Sequence, residues 1–212
     1  MFDLDGTLVD TASLYLEGVP RVVRKHLGVD ISPDDYLDLW GRDVRDWFTR
    51  AAGAGGAALV DTMYADFEDY YFATHRRCPV YDGVAEGMAL LKRDGARIGI
   101  VTTRPQRRAE LARELPFASH LDFIVGGDRV ARRKPAPDSL DFAIERYAPT
   151  RSPRGYVGDT VLDVQAAKAA RRQVLAVAAL WDCRDRNSIM AAAPHAAFEN
   201  FTECAQWLAS CA

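Results

Sequence analysis

Short apolar runs alternate with longer segments of helical periodicity over most of this 212-residue chain. Ile98 to Val101, Phe123 to Val125, Tyr156-Val157 and Val174 to Val177 read as short strands, the third closed by Gly158. Between them, Pro105 opens Gln106 to Leu115, whose spacing and arginine content predict a surface helix, and Pro135 and Pro137 precede a second helical segment, Ser139 to Tyr147. This rhythm is the sequence form of βαβ units. Everything from Gly83 onward, together with a first strand at Phe2, therefore fits one doubly wound parallel sheet with helices on both faces.

The stretch from Thr11 to Cys78 follows another rule. Leu14, Val19, Val22, Val23 and Leu27 recur at helical spacing, as do Tyr36, Leu37, Trp40, Val44, Trp47 and Phe48. Gly53, Gly55 and Gly56 interrupt the pattern before an aromatic-rich helical segment, Leu59 to Phe72, and no convincing strand occurs. The expected organisation is an α/β core, 1–10 and 79–212, with an all-helical domain, 11–78, inserted after the first strand.

Composition narrows the function classes. A chain that is 49% hydrophobic and 27% charged is globular and long enough for a core plus a small accessory domain. With 27 Lys and Arg against 30 Asp and Glu, nothing calls for nucleic acid as a partner. No apolar run approaches the ~20 residues that span a bilayer, and no basic segment followed by an apolar stretch marks a signal peptide. The cytoplasm is the expected location. Cys78, Cys183, Cys204 and Cys211 are scattered without a metal-binding or C-x-x-C spacing, and are read as reduced thiols.

Candidate chemistry starts at Asp3 and Asp5. In an extended segment residues i and i+2 point to one side, so both carboxylates face one site as the chain turns through Gly6. Two crowded acids need a counter-charge, a shared proton or a metal. Taken alone, the pair reads first as an Asp-rich turn that ends a strand with both side chains solvated. Its setting argues otherwise, because Asp3, Thr102 and Asp159 each follow a predicted strand, and the carboxyl ends of strands in an open parallel sheet line one crevice. Lys134 comes a few residues after the strand at Phe123 to Val125. Acids, a threonine and a lysine converging from distant positions suit phosphate chemistry.

These residues resemble the haloacid dehalogenase superfamily of phosphatases. The chain carries FDLDGTLVD at 2 to 10, IVTTRP at 100 to 105, RRKPAPD at 132 to 138 and YVGDTVLD at 156 to 163, in the order of that family's four motifs. YDGV at 81 to 84 and FIVGGDRVARRKPAPD at 123 to 138 are most similar to the phosphoglycolate phosphatase group. The resemblance implies a Rossmann-like core and a helical cap at 11–78. It also implies roles: Asp3 as nucleophile forming an aspartyl-phosphate, Asp5 as general acid and then base, and Thr102 and Lys134 as partners of the phosphoryl group. Mg²⁺ would be held by Asp3, the backbone carbonyl of Asp5 and Asp159, with Asp163 supporting it directly or through water. Arg42 falls where relatives place a substrate-facing loop, and is the candidate contact to a substrate carboxylate or phosphate.

The implied activity is magnesium-dependent hydrolysis of a small phosphorylated metabolite, phosphoglycolate first, by a monomer or homodimer. A sugar-phosphate mutase or pyrophosphatase on the same scaffold, and a catalytically silent phospho-ligand-binding protein, are the alternatives. Arg104, Arg107 and Arg108 read as a solvated helix face, and Arg45, Arg76 and Arg77 as surface or hinge residues. Two departures stand out. Relatives carry several apolar residues before Phe-Asp, whereas this chain begins at Met1, so the central strand is very short or the true start lies upstream; a short central strand lowers stability. Arg171 stands where a glycine commonly follows the Ala-rich helix, with an expected effect only on a turn.

Overall fold

The computed structural model describes residues 1–32, 35, 43–53, 56–150 and 155–211, which divide into two compact units, Thr11–Pro79 and Met1–Asp10 with Val80–Ala212. The first unit is helical. Helix α1 (Ala12–Leu27) buries Leu14, Val19, Val22 and Val23, as the helical spacing of these residues dictates, and ends at Gly28 in a left-handed conformation whose N–H bonds the Arg24 carbonyl. Helix α2 (Val44–Ala52) starts at Asp43, whose carboxylate accepts the Arg45 N–H, and buries Trp47 and Phe48. Helix α3 (Gly56–Thr74) contributes Val60, Met63, Phe67 and Tyr71. Gly18 is the close-approach point, since a Cβ there would lie 2.7 Å from the Tyr70 ring. Phe67 meets Tyr15 and Phe48 at centroid distances of 5.5 and 6.0 Å, so aromatic contacts join α1, α2 and α3. Tyr36, Leu37, Trp40 and Arg42 lie outside the described residues.

The second unit is the α/β sheet. After helix α4 (Val84–Arg93) come strand β1 (Gly99–Val101), helix α5 (Gln106–Ala109), strand β2 (Phe123–Val125), helix α6 (Asp138–Tyr147) and strand β3 (Gly155–Gly158). Helix α7 (Val161–Ala169), strand β4 (Leu175–Ala179), helix α8 (Arg186–Ala191), strand β5 (Ala196–Phe198) and helix α9 (Phe201–Ser210) complete it. Strands β1 and β2 pair in parallel, as do β3, β4 and β5. Phe2 joins the two groups, bridging Ile100 on one side and Val157 on the other. Its N–H donates to the Gly99 carbonyl at 2.9 Å and its carbonyl accepts from Val101 at 2.9 Å, while Asp3 N–H reaches Val157 at 2.8 Å. The spatial order is therefore β2, β1, the Met1–Asp3 segment, β3, β4, β5, all parallel.

Helices cover both faces. Leu140, Ile144, Val164 and Ala167 of α6 and α7 join Val101, Val125, Tyr156 and Ala176 in one core. On the other face α4 and α9 approach closely, a Cβ at Gly87 falling 2.7 Å from Phe201, whose ring lies 5.4 Å from that of Phe2. A cavity of about 330 Å³ lies at the amino ends of the strands, lined among others by Met1, Phe2, Ile98, Phe123 and Gly155.

Three expectations need correction. The segment after Pro105 is not one surface helix but a single α turn followed by a 3₁₀ stretch, Glu110–Glu114. Of the three arginines read as a solvated helix face only Arg107 is exposed, while Arg104 and Arg108 are 6% and 1% accessible. Arg171 does more than shape a turn. Its backbone N–H and Nε bond the two oxygens of buried Asp141 at 2.9 and 3.0 Å, and it pairs with Glu145, tying the exit of α7 to α6.

Candidate active site

At the carboxyl end of the Met1–Asp3 segment the chain must turn without filling the space above the sheet. Gly6 does this at φ 70°, and a Cβ there would stand 2.3 Å from Asp159 Oδ2, so only glycine lets the turn pass beside that carboxylate. The turn closes on itself through Leu8 N–H and Val9 N–H to the Leu4 carbonyl and Gly6 N–H to Val9. Thr7 Oγ1 then donates to Asp159 Oδ1 at 3.1 Å. The turn after the first strand and the end of β3 are thus locked together. Gly158 is required for the same reason, since a Cβ there would fall 2.3 Å from Asp163 Cγ.

Lys134 is the hub. Its Nζ donates to Asp3 Oδ1 at 2.9 Å, to Asp163 Oδ1 at 2.5 Å and to the Tyr156 hydroxyl at 2.9 Å, which fills its three donors. The Tyr156 hydroxyl in turn donates to the Val101 carbonyl at 2.7 Å. Asp163 is equally engaged: Oδ2 accepts the Thr160 N–H at 3.0 Å and hydroxyl at 2.5 Å, a capping box that starts α7, while Oδ1 takes Lys134. Thr102 Oγ1 accepts the Arg104 N–H at 3.2 Å, so its own proton is left to donate elsewhere. Asp5, beside this cluster, is gripped by Arg104, whose Nε reaches Oδ2 at 2.6 Å while Nη2 bonds Oδ1.

Burial sets the electrostatics. Asp3, Lys134, Asp159 and Asp163 are all under 10% accessible. Desolvation pushes the Asp3 carboxyl up, with Lys134 pulling the other way, and raises Asp159 well above the carboxylate range, Asp163 and Asp3 adding to the effect. Burial alone would lower Lys134, but Asp163 and Asp3 outweigh it and hold the ammonium above its ordinary value. Asp3, Asp159 and Asp163 each present an oxygen within 4.8 Å of the others. Three buried carboxylates around one ammonium form a donor set short of positive charge and made only of hard oxygens, which fits a divalent cation such as Mg²⁺. Among them Asp163 has both oxygens engaged in hydrogen bonds, so Asp3 and Asp159 are the better direct ligands.

The structure brings Asp3, Thr102, Lys134, Asp159 and Asp163 to one end of the sheet, with Asp5 beside them on Arg104. Arg42 lies outside the described residues. Sequence reasoning missed Tyr156, Thr7, Thr160 and Arg104. The alternation that singled out Asp3 and Asp5 also places Arg104 two residues beyond Thr102, but its charge suggested solvent. No comparable signal marked Tyr156, an aromatic residue inside an apolar strand.

Residues 1–177 match the family model described as haloacid dehalogenase-like hydrolase. The phosphoglycolate phosphatase of Pseudomonas putida is 32% identical over 178 residues, covering 80% of this chain and 65% of that protein, so the chain spans just under two thirds of this relative's length. In fold, the chain is similar to a haloacid dehalogenase-like protein of Bacteroides fragilis, with a TM-score of 0.83 and 22% identity over 96% of this chain and 97% of the other. It is also similar to CbbY of Rhodobacter sphaeroides, solved in complex with phosphate, with a TM-score of 0.77 and 25% identity over 95% and 93% of the two chains.

Proposed function

We propose that this chain, which belongs to the haloacid dehalogenase-like hydrolase family, is a Mg²⁺-dependent phosphomonoesterase acting on a small phosphorylated metabolite through an aspartyl-phosphate. One observation carries the reading: Lys134, bonded to Asp3 at 2.9 Å inside a buried cluster of carboxylates at the carboxyl end of a parallel sheet. A buried lysine in that place both orients Asp3 and offers positive charge where phosphoryl oxygens gather.

Asp3 attacks phosphorus through a carboxylate oxygen as the bond to the leaving oxygen breaks, and Asp5 gives its proton to that leaving group. A water then attacks the aspartyl-phosphate and gives a proton to Asp5, which restores the Asp3 carboxylate and frees phosphate. Thr102 donates to a phosphoryl oxygen. Lys134 balances the charge there, and Asp163 with Tyr156 keeps it aimed. Asp3, the Asp5 backbone carbonyl and Asp159 would hold Mg²⁺, which supplies Lewis-acid stabilisation of phosphoryl charge, while Asp163 supports the site through Lys134 and the start of α7.

Phosphoglycolate is the first substrate to try, because the P. putida relative bears that name. The helical unit, 11–79, is assigned the role of a cap that selects among phosphorylated metabolites, Arg42 included. The test is hydrolysis of an aryl phosphate with and without Mg²⁺ by the wild type and Asp3→Asn. Turnover that needs the metal and vanishes in the variant supports the reading. Phosphate-ester binding without turnover indicates a silent sensor, and a panel of phosphosugars, pyrophosphate and phosphoglycolate ranks the substrate classes.

A further inference from the structure

The grip of Arg104 on Asp5 is not accounted for by any role yet given. Arg104 is 6% accessible, and a guanidinium is not buried at so small an exposure without a partner that repays its desolvation. It meets Asp5 through two parallel donors, Nε to Oδ2 at 2.6 Å and Nη2 to Oδ1, the fork that matches a carboxylate in both spacing and plane. The fork is itself held in place. The Arg104 N–H bonds Thr102 Oγ1 at 3.2 Å, and its carbonyl accepts the Gly127 N–H at 2.7 Å, which fastens the residue to the ends of β1 and β2. Asp5, by contrast, sits in a turn and has 21% of its side chain exposed.

We propose that Arg104 is the positioning residue for the acid–base step, acting through Asp5 and resting on the phosphomonoesterase reading above. The two parallel donors fix the plane and direction of the Asp5 carboxylate, and Arg104 is itself fastened to the ends of β1 and β2. Arg104 therefore holds Asp5 in one orientation for both proton transfers.

The readout is leaving-group dependence. A basic alkoxide needs its proton in the first step, whereas an activated aryl oxide departs without one, so Arg104→Ala should lower kcat/KM on an alkyl phosphate by about 100-fold, within the range of general acid–base effects, and barely alter it on dinitrophenyl phosphate. Asp5→Asn should give the same pattern. The double variant should be no worse than Asp5→Asn alone, because residues acting as a unit are not additive. Arg104→Lys, a point charge without the fork, should fall between wild type and Arg104→Ala.

An equal loss on both esters, or additive losses in the double variant, overturns the proposal in favour of a general structural or phosphate-binding role. An unchanged or higher alkyl-ester kcat/KM also overturns it. Thermal melts of each variant separate misfolding from positioning. Failure of the wild type to hydrolyse either ester overturns the phosphatase reading, and this proposal with it.

Discussion

Lys134 links four segments of the sheet unit through one nitrogen: the turn that carries it, Asp3, Tyr156 on β3 and Asp163 on α7. Replacing it with methionine keeps much of the stem but leaves Asp3 and Asp163 facing each other without a counter-charge. Lys134→Met is expected to cut kcat by about 10²- to 10³-fold, the scale seen when one charge-stabilising donor is lost. Steady-state kinetics on an aryl phosphate check this, and a fall in kcat of less than about 5-fold would remove Lys134 from the phosphoryl site. At this scale much of the site was legible. Asp3, Thr102 and Asp159 stand at strand ends, where polar residues after apolar runs are conspicuous, and Lys134 follows β2 by a short loop. Tyr156 and Arg104 were not legible, because an aromatic in a strand and an arginine before a helix have commoner explanations, and only three-dimensional proximity replaces them.

Among the elements, α6 and α7 are joined outside the apolar core by Asp141, 4% accessible, which accepts the backbone N–H and Nε of Arg171. Asp141→Ala removes both acceptors and is expected to cost about 1 to 3 kcal/mol, the usual penalty for stranding a hydrogen-bond partner. Arg171→Gly, which restores the common residue and keeps the backbone donor, should leave the unfolding midpoint nearly unchanged. Denaturant unfolding of both variants distinguishes a carboxylate that serves the backbone from one that serves the arginine side chain.

Strands β1 to β4 and helices α1, α3 and α6 were readable from periodicity, because each buries a regular stripe or a full apolar run. Strand β5, Ala-Ala-Phe, was not, since two alanines of low strand preference and one phenylalanine carry no pattern. The helix after Pro105 was overread for the opposite reason. Its spacing was helical, but the chain has to tighten into 3₁₀ turns to bury Ala109 and Ala112.

Across the whole molecule, the catalytic unit carries a cluster whose charges do not cancel, and its stability should answer to what fills the gap. Addition of Mg²⁺ alone is expected to raise the thermal midpoint, because an ion that binds only the folded state stabilises it by mass action, about 2.7 kcal/mol at a hundredfold excess over Kd. Asp159→Asn should abolish the rise. The measurement is a melt with and without the metal, using Ca²⁺ as a second hard cation. An unaltered rise in the variant would place the ion elsewhere. Among the described residues no helix is long and apolar enough to cross a membrane.

The Met1–Asp3 segment closes the gap between two halves of the sheet and, in the same three residues, carries the carboxylate assigned to attack phosphorus. Opening of that seam would displace the assigned nucleophile together with the bridge that joins the two halves. Loss of turnover is therefore expected to report sheet opening as well as chemical damage.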